Sequence, residues 1–172
     1  KFFTFLDKNG SKILNLKSPL IEKAIFKSCS IKKKIVEVDE KEKNVRKILN
    51  FGHTFAHAYE ATLGYSKRLN HGEAVILGIE TATKFSLMYN ILNYKEFNLI
   101  SSHLKKLKLP RNINKLFSIK DLNKILSFMK KDKKNDTNKI NLVLLNKIGS
   151  PIYKSKFDTK KIKQYFKKEL IK

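Results

Sequence analysis

The stretch RKILNFGHTFAHAYE, residues 46–60, carries the most informative pattern in the chain. Its polar residues recur three or four positions apart: Arg46, Asn50, His53, His57 and Glu60. On an α-helix this spacing places all five side chains on one face. A guanidinium, an amide, two imidazoles and a carboxylate do not suit a packing face, but they suit a polar substrate and a metal ion. The pattern predicts a functional face on a helix from about residue 45 to residue 63, which ends at Gly64.

Small residues stand directly before both histidines, Gly52 before His53 and Ala56 before His57. Such residues thin a helix surface, so that another group can approach closely. A third histidine, His71, follows one short loop later in the sequence HGEA. Because two antiparallel helices joined by a short loop can bring His53 and His71 together, we expect these imidazoles to bind a divalent metal ion such as zinc.

Two histidines are too few to hold a metal ion, and a further oxygen or nitrogen ligand would complete a catalytic site. Glu60 and Glu73 are the candidates within the chain. A solvent-facing helix position explains Glu60 without a metal, and the favourable helix dipole explains Glu73 in a first turn. We favour these simpler explanations, so the sequence offers no convincing third ligand.

The composition indicates one globular domain of 172 residues, with 41% hydrophobic residues and a net charge of +23. The lysines are spread along the whole chain among many Asn and Ile residues, as biased codon usage would produce. We therefore favour codon usage as the source of this charge and keep a basic nucleic-acid-binding helical module as an alternative. A general attraction for anionic substrates is expected in either case. No apolar run approaches the roughly 20 residues of a membrane-spanning helix. The single cysteine, Cys29, fits a reducing, cytoplasmic setting and is predicted to be buried.

The remaining periodicity predicts a mainly α fold, a multi-helix domain with one small β-hairpin. The first 16 residues are predicted as a short helix or extended segment with a turn at Asn9-Gly10, and Ser18 as the N-cap of a helix that Pro19 opens. The further helices are predicted over about 71–92, 95–107, 119–131 and 159–170. The hairpin is predicted from INLVLL to PIYKSKF around a turn at 148–151, and Asp158 is predicted to cap the last helix.

These motifs closely resemble the 3-dehydroquinate synthase family. The family pattern R-x3-N-x-G-H-T-x-G/A-H-A-x-E, then G-Y and H-G-E-A-V, matches residues 46–60, 64–65 and 71–75. The family's K-x6-D-E-x-E pattern matches residues 32–42, and its D-K-K loop before a hairpin matches residues 132–134. The resemblance extends over about the whole chain, and Ala56 stands where the family typically has Gly.

The resemblance implies a role for each matching residue. His53 and His71 resemble the two histidine ligands of the metal ion, zinc or cobalt. Glu42 resembles the family's proposed base, and His57 resembles a residue that binds the phosphonate region of the substrate and helps to move protons. The remaining matches resemble substrate contacts, with the choice between the two loop lysines left open: Lys32, Arg46, Asn50, and Lys133 or Lys134.

The resemblance also implies a reaction and a second half of the enzyme. The family converts the seven-carbon sugar phosphate DAHP into 3-dehydroquinate and phosphate in the shikimate pathway, by transient oxidation with NAD, phosphate elimination and aldol cyclisation. Residues 1–172 correspond to its C-terminal helical domain. The N-terminal NAD-binding α/β domain and its glutamate metal ligand are absent from the sequence, so we expect the isolated chain to be inactive and the complete enzyme to be a homodimer. Another sugar-phosphate cyclase or a metal-dependent polyol dehydrogenase on the same scaffold is the alternative.

Overall fold

The structure of the chain, a computed structural model, describes residues 1–131 and 138–171. The chain forms two compact units, Lys1–Leu49 and Asn50–Lys172, which we call the N-terminal and C-terminal units. The fold is mainly α-helical with one two-stranded antiparallel sheet, which confirms the predicted fold class. Within the described residues, no helix combines the length and apolar character that crossing a membrane requires.

The N-terminal unit is built on helices α1 (Phe2–Leu14) and α2 (Leu20–Val38), which pack against each other. The predicted turn at Asn9-Gly10 is wrong, because α1 continues through it. Asn9 Nδ2 donates to the carbonyl of Phe5 at 2.9 Å, which satisfies this side chain within the helix. Ser18 is not the N-cap either, since α2 begins one residue later than predicted, after Pro19.

Cys29 is exposed, so its predicted burial is wrong. Ala24 is the one buried residue of α2, and the apolar stripe that suggested a buried face contains exposed residues such as Ile25 and Val38. The helical period was therefore correct for α2, whereas the degree of burial was not.

The predicted helix over 45–63 consists of two different elements. Residues Val45–Asn50 form a 3-10 helix, and α3 begins only at His53 and ends at Thr62. Gly52 separates them with a φ of +83°, a left-handed conformation that glycine adopts without steric cost. A 3-10 helix has about three residues per turn, so residues four apart do not share its face. The single column of Arg46, Asn50 and the histidines is therefore wrong.

The C-terminal unit places α3 against α4 (His71–Met88) and α6 (Leu122–Lys131). Helix α4 also packs against α5 (Tyr94–Lys106) and the first strand, which confirms its predicted central position. Two further 3-10 helices, Ile113–Lys115 and Ile119–Asp121, connect α5 to α6. The largest fully buried side chains come from α3, α4 and the last helix: Phe55, Tyr59, Leu77, Phe85 and Phe166.

The hairpin and the last helix agree with their predictions. Strands β1 (Lys139–Lys147) and β2 (Ser150–Asp158) pair antiparallel, with Ile140 opposite Phe157. Helix α7 covers Thr159–Leu170, and the carboxylate of Asp158 accepts from the Lys160 amide at 2.7 Å. This hydrogen bond is the predicted N-cap.

Candidate functional site

The two helices that carry the histidines meet at a pair of glycines. A Cβ atom built on Gly78 of α4 would lie 2.2 Å from the carbonyl oxygen of Gly52 and 3.1 Å from the amide nitrogen of Ala56. A Cβ on Gly52 would lie 2.6 Å from the amide nitrogen of Ile79. The close approach predicted from the small residues is therefore made by the backbone of α4. This close contact between Gly52 and Gly78 holds the start of α3 against α4.

Three histidines cluster where α3 and α4 begin. His53 is the first residue of α3, His57 lies one turn later, and His71 is the first residue of α4. The ring centroids are 5.6 Å apart for His53 and His57, 6.0 Å for His53 and His71, and 6.4 Å for His57 and His71. The loop over 63–70 returns the chain to this end, so the structure brings together the two histidines that the sequence paired.

The Nδ1 atoms of two of these rings face acceptors. His71 Nδ1 lies 3.1 and 3.3 Å from the two carboxylate oxygens of Glu60, and His53 Nδ1 lies 3.4 Å from the carbonyl oxygen of Phe51. Acceptors at Nδ1 favour the tautomer that carries its proton there. In that tautomer Nε2 keeps its lone pair, which a metal ion requires.

The pKa of His53 is lower than that of an ordinary histidine. Burial is the main cause, and the positive charges that His57 and His71 would carry when protonated add to it. The carbonyl of Phe51 and the carboxylate of Glu60 oppose the shift without reversing it. His53 is therefore held in the neutral form, the protonation state that ligates a metal ion.

The two glutamates considered as third ligands have other partners. Glu73 forms a capping box with Asn70: its amide donates to Asn70 Oδ1 at 3.0 Å and its carboxylate accepts from the Asn70 amide at 3.1 Å. Glu60 does not face solvent as expected, because its side chain is only 11% exposed and lies against His71. Among the described residues, no group of three or more His, Cys, Asp or Glu side chains could hold a metal ion.

Three of the predicted site residues belong to the N-terminal unit. Lys32 is exposed on α2, and Glu42 follows α2 with a φ of +52°, in the left-handed region that non-glycine residues rarely adopt. The guanidinium of Arg46 donates through one terminal nitrogen to the carbonyl of Glu40. Asn50 ends the 3-10 helix at the start of the C-terminal unit, whereas Lys133 and Lys134 lie outside the described residues.

Asp39 organises the turn that contains Glu42, a role that the sequence analysis missed. Its carboxylate accepts the backbone amides of Lys43 at 3.0 Å, Asn44 at 2.7 Å and Arg46 at 3.0 Å. Burial raises the pKa of Asp39, but the hydrogen bonds from these three amides, first of all that of Arg46, together lower it by more. The pKa of Asp39 therefore lies below its usual value. An Asp at the end of a helix, followed by the polar run EKEKN, was the available signal.

Comparisons with known proteins agree in sequence and in fold. Residues 1–135 match a family model described as 3-dehydroquinate synthase C-terminal. A 3-dehydroquinate synthase of Pelagibacter ubique is 67% identical over 172 residues, which are the whole of this chain and 47% of that protein. One from Thermoanaerobacter sp. is 43% identical over 144 residues, which are 83% of this chain and 38% of that protein. The chain thus spans less than half of the length of these relatives.

Two solved structures share the fold at low sequence identity. ValA, a 2-epi-5-epi-valiolone synthase from Streptomyces hygroscopicus with NAD+ and Zn2+ bound, superposes with a TM-score of 0.80 at 16% identity, over 97% of this chain and 45% of ValA. A 2-deoxy-scyllo-inosose synthase complexed with carbaglucose-6-phosphate, NAD+ and Co2+ gives 0.68 at 24% identity, over 90% of this chain and 42% of that one.

Proposed function

Because the chain belongs to the 3-dehydroquinate synthase family, we propose that it supplies the metal- and substrate-binding half of an enzyme that converts DAHP into 3-dehydroquinate and phosphate. The observation that carries the proposal is the cluster of three histidines at the starts of α3 and α4, whose ring centroids lie within 6.4 Å of one another. The chain covers 47% of the Pelagibacter relative, so the activity belongs to a longer assembly.

His53 and His71 fit a divalent metal ion, zinc or cobalt. Two imidazoles bound through Nε2 to one tetrahedral ion have ring centroids about 5 Å apart, and these two rings lie 6.0 Å apart. The spacing of these two rings is therefore within about 1 Å of the spacing around a shared ion. As the family resemblance implies, the third ligand in this proposal is a glutamate of the α/β half. When bound, the ion polarises a substrate hydroxyl and stabilises negative charge on its oxygen.

His57 is the residue that would move protons in this site. It is exposed, and its ring lies beside those of both proposed ligands. An imidazole gains or loses a proton near neutral pH. It can therefore accept a proton from a bound phosphate ester or donate one to it. His57 therefore binds the phosphate side of the substrate and transfers protons there.

The anionic substrate calls for cations, and the chain provides them. Arg46 and Lys32, with Lys133 or Lys134, would pair with the carboxylate and phosphate groups, and Asn50 would bind a hydroxyl. A net charge of +23 attracts such a substrate from a distance. Glu42 is the proposed base, held in the turn that Asp39 organises.

NAD does not fit the residues of this chain. Its six glycines are isolated, and no dinucleotide-binding loop occurs in the sequence. We assign the cofactor to the α/β half. The homodimer expected from the resemblance and the cytoplasmic location expected from the single cysteine belong to the same proposal.

The test is turnover by the complete enzyme with NAD and zinc, measured as phosphate release from DAHP or glucose 6-phosphate and as NADH formation with glycerol. We expect turnover of DAHP and none of glucose 6-phosphate or glycerol. Turnover of glucose 6-phosphate with an unreactive DAHP would instead indicate another sugar-phosphate cyclase, and oxidation of glycerol would indicate a polyol dehydrogenase. Either result would overturn the proposal.

A further inference from the structure

The nearly buried carboxylate of Glu60 lies against His71, the more exposed of the two proposed metal ligands. The Glu60 side chain is 11% exposed, whereas that of His71 is 62% exposed, and both carboxylate oxygens lie within 3.3 Å of His71 Nδ1. Removing a carboxylate from water is costly unless it is hydrogen-bonded. The contact with His71 supplies such a partner and explains why Glu60 turns away from solvent.

This contact joins the two ends of the loop that separates α3 from α4. Glu60 lies in the last turn of α3, and its carbonyl also accepts the amide of Tyr65 at 2.8 Å. Tyr65 itself has a φ of +54°, so the chain reverses within this hydrogen bond. Glu60 therefore holds the loop through its backbone and the first residue of α4 through its side chain.

We propose that Glu60 is a positioning residue, which fixes His71 as the Nδ1–H tautomer and presents Nε2 to the metal ion. The inference rests on the proposed role of His71 as a ligand. A carboxylate on the far nitrogen orients a histidine ligand and raises its basicity, and loss of such a partner typically costs about 10- to 100-fold in metal affinity.

The same position does not suit Glu60 as a direct ligand. Its two oxygens are nearly equidistant from one ring nitrogen, which is the geometry of a shared N–H donor. The described residues also contain no trio of side chains around a possible ion. Glu60 therefore acts on the metal through His71.

The first experiment needs neither metal nor substrate. In the 15N-labelled 172-residue chain, long-range 1H–15N NMR at alkaline pH reports which nitrogen of His71 carries the proton. We expect Nδ1–H in the wild type and a shift toward Nε2–H in Glu60→Ala. A wild-type His71 in the Nε2–H form, or no change in the variant, would overturn the proposal.

The second experiment measures zinc affinity of the complete enzyme by competition with a chromogenic chelator. Glu60→Ala should bind zinc about 10- to 100-fold more weakly, and Glu60→Gln, which keeps an acceptor oxygen, should recover part of that loss. Glu37→Ala is the control, since Glu37 forms an exposed pair with Lys33 and its loss should leave zinc affinity unchanged. A complete loss of zinc in both Glu60 variants would identify Glu60 as a direct ligand and refute the positioning role.

These readouts separate the inference from the proposed function. If DAHP is not the substrate but the tautomer and the zinc affinity depend on Glu60, the reaction proposal fails and the positioning role stands. If DAHP is turned over while the tautomer of His71 does not depend on Glu60, the positioning role fails. Should Glu60→Ala fail to fold, the wild-type chain alone decides, because an Nε2–H form of His71 there refutes the positioning role.

Discussion

Replacing Gly78 by alanine tests whether the contact between α3 and α4 sets the geometry of the histidine cluster. The new Cβ would lie 2.2 Å from the carbonyl oxygen of Gly52. An ordinary contact between carbon and oxygen is about 3.3 Å, so the two helices would have to separate by about 1 Å. The obstructing atom is backbone and cannot rotate away, and the amide nitrogen of Ala56 lies 3.1 Å from the same Cβ.

The magnitude follows from two opposing effects. Overpacking of a rigid contact costs about 3 kcal/mol, whereas alanine in place of a helical glycine contributes about 1 kcal/mol in favour of folding. We therefore expect a net loss of about 2 kcal/mol in the free energy of unfolding. Gly72→Ala is the matched control in the same helix, because its Cβ meets nothing closer than Asn70 Oδ1 at 3.6 Å.

The assay is urea denaturation of the wild-type chain and both variants. We expect Gly72→Ala to be as stable as the wild type or slightly more stable, and Gly78→Ala to be clearly weaker. In the complete enzyme, Gly78→Ala should also bind zinc more weakly, since a shift of about 1 Å between His53 and His71 exceeds the tolerance of a ligand set. A Gly78→Ala variant as stable as Gly72→Ala would refute the reasoning.

Further predictions concern individual charged groups. In the complete enzyme, elemental analysis should find that His53→Ala and His71→Ala lose zinc, and unchanged zinc in both would contradict the ligand assignment. His57→Ala should instead keep its zinc and lose phosphate release. NMR titration of the metal-free chain should give His53 a pKa below that of a free histidine, because burial disfavours its charged form, and a raised value would contradict this. Because the pKa of Asp39 is lowered in the folded chain, its ionised carboxylate stabilises the fold at any pH above the pKa of an unfolded aspartate. This stabilisation is lost as the pH falls through the pKa of Asp39 in the folded chain. Acid unfolding of Asp39→Asn should accordingly depend less steeply on pH than that of the wild type, and equal slopes would count against the three amide contacts. Glu80 is fully buried beside the cations of Lys84 and Arg111, so Glu80→Ala should cost about 3 kcal/mol or more in urea denaturation, and a neutral result would contradict the buried ion pairs.

Local signals predicted those elements whose determinants lie within a few residues. Asp158 caps α7 with its own carboxylate, and α4 begins at His71 as predicted, where Asn70 and Glu73 form a capping box that was not itself predicted. The hairpin turn lies around Gly149, whose φ of +84° favours glycine. Each of these features has its partner nearby in sequence, so the sequence alone suffices to place it.

The failures lie where the surrounding structure overrides a local signal. The local turn signal at Asn9-Gly10 is overridden by the continuing helix, and the polarity of Glu60 does not reveal that loop closure carries it to His71. The contact between Glu60 and His71 spans 11 residues and depends on how α3 and α4 pack. The spacing placed these side chains in the right neighbourhood, but hydrogen-bond partners across a loop follow from packing, which periodicity does not encode.

Gly52 explains why the columnar arrangement was wrong while the clustering of histidines was right. Its φ of +83° separates the 3-10 helix from α3, so residues 46–60 do not form one continuous α-helix. The same residue lacks the Cβ that would meet the backbone of Ile79 at 2.6 Å, so the start of α3 lies directly on α4. Two independent constraints, one on backbone conformation and one on space, thus fall on one position. An alanine there would meet both the left-handed strain and the steric overlap, whereas Gly78→Ala meets only the overlap. Gly52→Ala should therefore destabilise the chain more than Gly78→Ala, and the reverse order in urea denaturation would show that the left-handed conformation is not required at this position.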